Sequence, residues 1–370
     1  MKILVISPVY GLSGVPLGQL RLSKCLANIG HEVDLIYGYK QYSKIEKLKK
    51  FNIIFFNKIR VLGMLFPLIK YLLFNKPDII FSAEDHLNAI VIIASILTLS
   101  KAKISVSSRV TPYDTYRNLN VIFSKSWFLK KIFPLVNLRA NALTCVSKDM
   151  VKQYKKIFYN TKQVYAYNIV LTDEAIEKMK EKVEHKWFKN KKTQMIVASG
   201  TLAEWKCFDD LIKAASKLQK KKINFKLLII GDGPDKLFLK KMIKSRNLSK
   251  RVQILKPVLN TLKYFYNSDI FVLSSRVEGM PNVMIEAMMC GCTIVSTDCY
   301  TGPKEILGKN QYGYLSKVNN PNDLAKNIIK AMKNKVSSNK INKILIKFSE
   351  RNVIERHFSL LKVERKRWLI

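Results

Sequence analysis

Residues 274–299 read SSRVEGMPNVMIEAMMCGCTIVSTDC, and the fold follows from how they are parsed. An apolar run, Phe271, Val272 and Leu273, enters the stretch, and a second, residues 293–296, leaves it. The pattern is strand, loop, helix, strand, with polar chemistry gathered where the first strand ends. Glu278 stands just ahead of a Gly-Met-Pro-Asn turn, and Glu286 follows two turns into the expected helix. Gly279 lets a ligand reach the backbone, and Pro281 fits a first helical turn, where no donor is needed. The free amides of that turn suit a phosphate. Taken singly, the same residues also read as a capped helix with a solvated Glu278 and a buried or paired Glu286.

Outward from this stretch, the second half of the chain repeats the alternation. Strands are expected at 194–199, 225–230, 252–255 and 270–273, with helices at 209–219, 236–246 and 259–266 between them. Four segments then fall at C-terminal strand ends, where open α/β sheets bind ligands: 200–206, 231–234, 274–286 and 297–304. The Gly231-Asp-Gly233-Pro turn and the Thr301-Gly-Pro-Lys304 turn each precede a helix. Several helix starts and lysines around one point make an environment for a diphosphate. Asn320, Pro321 and Asp323 open a late helix with a cap, a first-turn proline and a carboxylate.

The first half reads similarly but less sharply. A strand at 2–7 leads through a loop at 8–18, containing Gly11, Gly14 and Gly18, into a helix at 20–29 and a strand at 31–37. The loop lacks the G-x-G-x-x-G spacing, and no acidic residue is well placed after the second strand for a ribose. It reads as a flexible turn or as a backbone wall beside a ligand. Further strands are expected at 52–56, 78–82, 104–108 and 142–147, with helices at 62–74, 87–99 and 126–138. Asp85, His86, Arg109 and Asp114 follow strand ends. Between residues 149 and 192 the pattern loosens into lysine-rich helices at 149–157 and 173–183 around a strand-like 163–167. The expected domains are 1–170, 171–345, and a C-terminal helix within 346–370 that crosses back to the first domain after a polar connection at 333–342.

A chain of 370 residues with 48% hydrophobic residues exceeds one ordinary core, so two α/β domains are expected. The six cysteines lack the spacing of a metal knuckle or a disulfide framework, which points to reduced thiols and a cytoplasmic protein. Cys290-Gly-Cys292 reads as small residues packing a helix-to-strand turn. The opening MKILVIS is a strand with no leader pattern before it, so export is not expected. Residues 61–74 and 87–99 fall short of the ~20 apolar residues a membrane span requires. The net charge of +38 is spread along the chain. It reads either as compositional drift or as attraction to an anionic membrane surface, where each nearby lysine or arginine is worth about 1 kcal/mol. Helix 62–74, apolar on most sides and flanked by Arg60, Lys70 and Lys76, reads either as core-facing or as a membrane-surface helix.

The block EGMPNVMIEAM resembles the E-x7-E motif of retaining GT-B glycosyltransferases, family four in the sequence classification. Around it GTLAEWKCFDDLIKA, IIGDGP and TGPKEIL stand in that family's order and approximate spacing. The resemblance is strong over residues 195–313 and diffuse before them. It implies a GT-B fold, two Rossmann-like domains facing a cleft, with a UDP-sugar bound by the second domain, an acceptor bound mainly by the first, and no bound metal or cofactor. Glu278 would face the donor sugar, and Glu286 would hold the ribose. Lys206 would stabilise the leaving diphosphate, with Gly200, Thr201, Gly231, Gly233, Pro257, Arg276, Gly279, Met280, Pro281, Asn282 and Val283 lining the donor. Gly14, Asp85, His86 and Arg109 would serve the acceptor, a polyprenyl-diphosphate or other lipid-linked saccharide. The family's arginine is Thr201 here, and its glycine after the lysine is Cys207; either Lys206 and the helix amides suffice, or another cation such as Arg276 or Lys304 helps. The resemblance implies an enzyme of bacterial surface glycan synthesis, and the charge and helix 62–74 add the expectation of a peripheral place on the cytoplasmic face of the inner membrane. Two other readings are a GT-B-type sugar-nucleotide epimerase and a basic nucleic-acid-binding protein. The latter lacks any recognisable motif, and its charge is dispersed.

Overall fold

A computed structural model describes residues 1–11, 13–41, 51–115, 121, 124–158, 160–189 and 193–364. The chain forms two compact units, one of residues 1–169 with the described chain from Glu350 onward, the other of residues 170–349.

The first unit is built on a parallel sheet in the order β3-β2-β1-β4-β5-β6-β7. Its strands are β1 (Lys2–Tyr10), β2 (Glu32–Lys40), β3 (Asn52–Phe55), β4 (Ile79–Ala83), β5 (Lys103–Ser108), β6 (Ala142–Cys145) and β7 (Val164–Tyr165). β1 is central, pairing with β2 and β4, and Ile3, Leu4, Val5 and Ile6 are fully buried, as a strand covered on both faces requires. The chain turns from one side of β1 to the other, so β1 and β4 flank a switch point.

β1 runs to Tyr10, beyond the expected end at residue 7, because Val9 and Tyr10 still pair with Tyr39 and Lys40. Gly38 permits this continuation, since a Cβ there would lie 2.4 Å from the Pro8 carbonyl. The following helix, Gly14–Asn28, starts six residues earlier than expected, with Pro16 tolerated in its first turn. Much of the expected loop is therefore strand or helix, and Leu12 lies outside the described residues.

The segment expected as one helix at 62–74 is a 3-10 turn, Val61–Met64, followed by the helix Leu65–Asn75. Met64, Leu68, Tyr71 and Leu72 face the core, and the Tyr71 hydroxyl donates to Asp34, which also accepts from Asn52 at 2.9 Å. The opposite side of this helix carries exposed Phe66, Leu73 and Phe74.

The second unit is a parallel sheet in the order β10-β9-β8-β11-β12-β13. Its strands are β8 (Gln194–Ser199), β9 (Phe225–Ile230), β10 (Val252–Leu255), β11 (Ile270–Leu273), β12 (Thr293–Thr297) and β13 (Tyr314–Ser316). β8 and β11 flank its switch point. The helix Phe208–Lys220 places Phe208, Leu211, Ile212, Ala215 and Leu218 in the core, with Asp209 and Asp210 in its first turn, where carboxylates suit the helix dipole. In the late helix Pro321–Lys333 the Asn320 side chain accepts from the Asp323 amide at 3.0 Å, the cap its sequence signals. The expected helix at 173–183 ends at Met179, and the one at 259–266 begins at Leu262. The Asn260 amide, which donates to the Lys178 carbonyl, also caps Leu262 and so marks the later start.

The final helix expected within 346–370 runs from Glu350 to Leu360, and before it stand a helix, Ser338–Leu345, that begins inside the expected polar connection, and a 3-10 turn, Ile346–Phe348. Helix cannot run through Ser349, because the Phe348 carbonyl accepts from the amides of Val170 and Leu171, and Leu171 and Ser349 form a parallel bridge. The last piece packs Val353, Ile354 and Phe358 into the core of the first unit. Residues 365–370, with Trp368, lie outside the described residues. All six cysteines are buried thiols.

Candidate functional site

In the second unit the polar residues converge at the switch point between β8 and β11. β8 delivers Gly200 and a loop whose 3-10 turn, Glu204–Lys206, carries Lys206; β11 delivers residues 274–281. The Lys206 ammonium lies 2.6 Å from Glu278 Oε1, and the Ser275 hydroxyl donates to the same oxygen at 2.6 Å. Both ionic side chains are largely but not wholly buried, which leaves the pair open to a ligand from one side.

The loop holding Glu278 is braced on two flanks. The Ser274 hydroxyl donates to the Lys206 carbonyl at 2.8 Å, and the Arg276 amide donates to the Trp205 carbonyl at 2.8 Å. From the other side the Thr301 hydroxyl donates to the Glu278 carbonyl, and Thr297 donates to the Ser275 carbonyl at 2.5 Å. Gly302, at φ +90°, abuts the loop so closely that a Cβ would lie 2.7 Å from Pro281 Cδ. The segments 200–206, 274–281 and 297–302 are thus one assembly.

The glycines of the Gly231-Asp-Gly233 turn have a structural reason. A Cβ on Gly231 would lie 2.0 Å from the Gly200 carbonyl oxygen, and one on Gly233 would lie 2.4 Å from that of Leu202. Asp232 and Asp235 complete the contact, the Asp232 carbonyl accepting from the Leu202 amide and the Asp235 amide donating to the Leu202 carbonyl. The close approach these glycines allow is to a neighbouring loop of the same chain.

Pro281 sits at the N-cap of the helix Asn282–Met289, one position before the expected first turn, and its carbonyl accepts from Met284 and Ile285. The opening turn of that helix, including Asn282 and Val283, faces the same edge, while Met280 and Glu286 are buried. Pro257 is exposed beyond β10. Thr201 is exposed and carries no charge where a cation was expected. Of the two cations that could replace it, Arg276 is bonded to Glu204 (3.2 Å) and Asn319 (2.8 Å), and Lys304 lies 3.7 Å from Asp298. Cys207 adopts the left-handed conformation, φ +49°, which explains the family's glycine at that position. Burial pushes its thiol up to about 11 and those of Cys290 and Cys299 to about 12, so these remain protonated at neutral pH.

In the first unit the corresponding edge lies between β1 and β4. Gly14 opens the helix Gly14–Asn28, with nothing near the place of a Cβ. Asp85 turns into the unit, where its two oxygens accept from the hydroxyls of Ser108 and Tyr154, both at 2.6 Å. Its carboxylate is therefore committed to the protein interior. His86 Nε2 lies 3.2 Å from Glu84 Oε2. Burial holds His86 down to about 4 and lifts Glu84 to about 7, with Lys125 and Arg109 opposing the second shift, so at neutral pH the contact involves a neutral imidazole. Arg109 donates to Asn168 and to Gln19, its Nε is buried without a partner, and burial lowers it to about 10, leaving it charged. The side chain of Asp114 lies outside the described residues.

Glu84 was not singled out by sequence. It holds φ +79° at the junction of β4 with the helix Asp85–Leu97, a conformation rare for a residue with a side chain and often found at functional positions. Only its place after a strand end, shared with Asp85 and His86, could have drawn notice. Among the described residues no cluster of histidine, cysteine and acidic side chains could hold a metal ion.

Two parallel, doubly wound sheets, each with its polar residues gathered at a switch point, define the GT-B class. A solved member, Anabaena HepE in complex with UDP, superposes with a TM-score of 0.74 over 98% of this chain and 100% of its own, at 16% identity, a likeness of fold. Residues 179–348 match the family described as "Glycosyl transferases group 1", so the second unit is a glycosyl transferases group 1 domain. An uncharacterized glycosyltransferase of Methanocaldococcus jannaschii is 28% identical over 75% of this chain and 71% of its own length. A Campylobacter jejuni N-acetylgalactosamine-N,N'-diacetylbacillosaminyl-diphospho-undecaprenol 4-alpha-N-acetylgalactosaminyltransferase is 28% identical over 61% of this chain and 59% of its own.

Proposed function

We propose that the protein is a retaining glycosyltransferase that moves an N-acetylhexosamine or hexose from a UDP-sugar to a lipid-linked or polysaccharide acceptor in bacterial surface glycan synthesis. It works at the cytoplasmic face of the membrane without a metal cofactor. The observation that carries this reading is the Lys206–Glu278 contact of 2.6 Å at the switch point of the group 1 domain. The names of the relatives agree: one acts on a diphospho-undecaprenol saccharide, and the HepE structure holds UDP.

In this reading a diphosphate displaces Glu278 from the Lys206 ammonium and is held there together with the opening amides of the helix Asn282–Met289. Glu278, released, faces the donor sugar, and Glu286 accepts from the ribose hydroxyls. The acceptor hydroxyl attacks the face from which the nucleoside diphosphate leaves, and the departing phosphate oxygen takes its proton. No separate basic side chain is needed, and charge stabilisation by Lys206 carries the step. Arg109 and His86 bind the acceptor, Gly14 leaves room beside them, and Asp85 acts by holding its edge in shape through Ser108 and Tyr154. The cation absent at Thr201 is supplied by Arg276 once it leaves Glu204, an exposed pairing worth little.

The test is a thermal-shift screen of sugar nucleotides, followed by NMR analysis of the product formed with a polyprenyl-diphosphate sugar in the presence of EDTA. The expected result is stabilisation by one UDP-sugar and a new α-linked product from an α-linked donor. Inversion at the anomeric carbon, or dependence on a divalent ion, would contradict the mechanism. Conversion of the sugar nucleotide with no acceptor present would favour the epimerase.

A further inference from the structure

The helices on one face of the first unit carry apolar side chains on the side that should be polar. Leu65–Asn75 turns Leu68, Tyr71 and Leu72 to the core, yet its opposite stripe is Phe66, Lys70, Leu73 and Phe74, continued backwards by Leu62 of the preceding 3-10 turn. Phe66 and Phe74 are each 78% exposed and Leu62 73%. The helix Lys125–Arg139 repeats the arrangement, burying Leu129, Phe133 and Val136 while exposing Phe128, Lys131, Leu135 and Leu138 in one stripe. Between them lies the helix Asp85–Leu97, which packs against both and ends in exposed Ile96, Leu97 and Leu99.

A solvated helix carries polar groups opposite its core face, and a soluble monomer seldom gathers so many large apolar side chains on one surface. The charge of the same region is one-sided. From Lys47 to Lys148 the only acidic residues are Asp78, Glu84, Asp85 and Asp114, against basic residues that include Lys58, Arg60, Lys70, Lys76, Lys101, Lys130, Lys131 and Arg139. Asp85 is turned inward and burial disfavours the charge of Glu84, so little negative charge offsets these cations. Apolar stripes, each with a central lysine and bordered by further cations, match a layer that is apolar inside and anionic at its surface. Among the described residues no helix is long and apolar enough to cross a membrane.

We propose that this three-helix face docks the protein on an anionic lipid bilayer, with Leu62, Phe66, Leu73, Phe74, Phe128 and Leu138 entering the boundary between headgroups and acyl chains. The inference deepens the membrane location given above and rests on it, naming the surface that makes the contact. Helices that follow parallel strands begin at the sheet's C-terminal edge, so Leu62, Phe66 and Phe128 lie toward the edge that carries Glu84, His86 and Arg109. A docked first unit thereby brings its acceptor edge near the bilayer, where a lipid-borne acceptor is found.

The test is co-sedimentation of the full chain with vesicles of phosphatidylethanolamine and phosphatidylglycerol at 7:3, and with pure phosphatidylcholine, in low salt. Wild-type protein is expected to bind the anionic vesicles at least tenfold better than the neutral ones. The triple variant Phe66→Gln, Leu73→Gln, Phe74→Gln is expected to lose that binding by tenfold or more. It should retain its circular dichroism spectrum, its monomeric mass and its turnover on a soluble acceptor. A control variant with Leu237→Gln and Phe238→Gln, exposed apolar residues of the second unit, should bind as wild type does. Wild-type protein that stays in the supernatant would overturn the proposal, as would a triple variant that sediments normally. Self-association of the wild type that the triple variant abolishes would assign the face to a second copy and overturn it too. Turnover on the soluble acceptor reports the enzymatic reading separately, so that reading can fail while docking succeeds, and the reverse.

Discussion

Lys206 and Glu278 neutralise one another in the structure, and this sets what each substitution should do. Glu278→Gln removes the carboxylate charge and leaves the Lys206 ammonium free for an anion, so UDP alone should bind about fivefold more tightly, close to the ~1 kcal/mol worth of a partly exposed pair. Sugar transfer should nonetheless fall, and titration calorimetry beside a turnover assay separates the two effects. Weaker UDP binding would mean that Glu278 does not compete for Lys206. Cys207 offers a test of backbone strain. At φ +49° a β-branched residue is an outlier, so Cys207→Val should cost about 2 kcal/mol, while Cys207→Gly stays within about 1 kcal/mol of wild type in urea unfolding. Glu84 should show a pH dependence opposite in sign to that of a salt-bridged carboxylate. Burial lifts it from 4.5 to about 7, so its ionised form is disfavoured in the folded chain, and its charge costs stability above pH 7 and nothing below pH 4.5. Glu84→Gln should therefore raise stability at pH 8 by up to about 3 kcal/mol and lose that effect by pH 4.5. An equal effect at both pH values would contradict it. The placing of Lys206 and Glu278 was legible because both follow expected strand ends, whereas their roles came from the family resemblance alone. Glu84 was not legible, since its positive φ and its burial arise from packing between β4 and β5 that no local pattern announces.

The loops at the edge of the second sheet hold shape through backbone contacts that only glycine allows. Gly231→Ala places a Cβ 2.0 Å from the Gly200 carbonyl oxygen, so the loop must move, and a loss of about 3 kcal/mol or more is expected in thermal or urea unfolding. Gly14→Ala meets nothing within 4 Å, sits at the start of a helix, and should be neutral or slightly stabilising. Equal effects at the two positions would refute the packing account of the 231–233 turn. β9 and β11 were expected at the residues where they occur, because buried parallel strands read as short apolar runs bounded by turns. Element boundaries that depend on pairing elsewhere were hidden. β1 outruns Pro8 because Gly38 lies opposite, and the final helix starts only at Glu350 because the Phe348 carbonyl bonds to Val170 and Leu171. In residues 62–74 the apolar composition was visible, but which side met the core required Asp34 to be placed beneath Tyr71.

Over the whole molecule one device appears twice, a parallel sheet whose order reverses beside its first strand, with charged residues collected at that reversal. The first unit gathers Glu84, His86 and Arg109 there, and the second gathers Lys206, Ser275 and Glu278. Doubly wound architecture was apparent from alternating strands and helices, whereas the exposed apolar stripes needed the fold to show that residues already expected in helices point outward. The net charge of +38 has a local expression in the acid-poor first half, where it borders those stripes. Whether the Lys206–Glu278 edge performs the transfer is tested by turnover of the UDP-sugar by Lys206→Ala and Glu278→Ala, measured beside their unfolding curves. Both variants are predicted to unfold like wild type and to lose at least a hundredfold in turnover, since removing a charge-assisted contact to a departing diphosphate costs about 1.5 to 3 kcal/mol or more. Near-normal turnover in both would contradict the assignment.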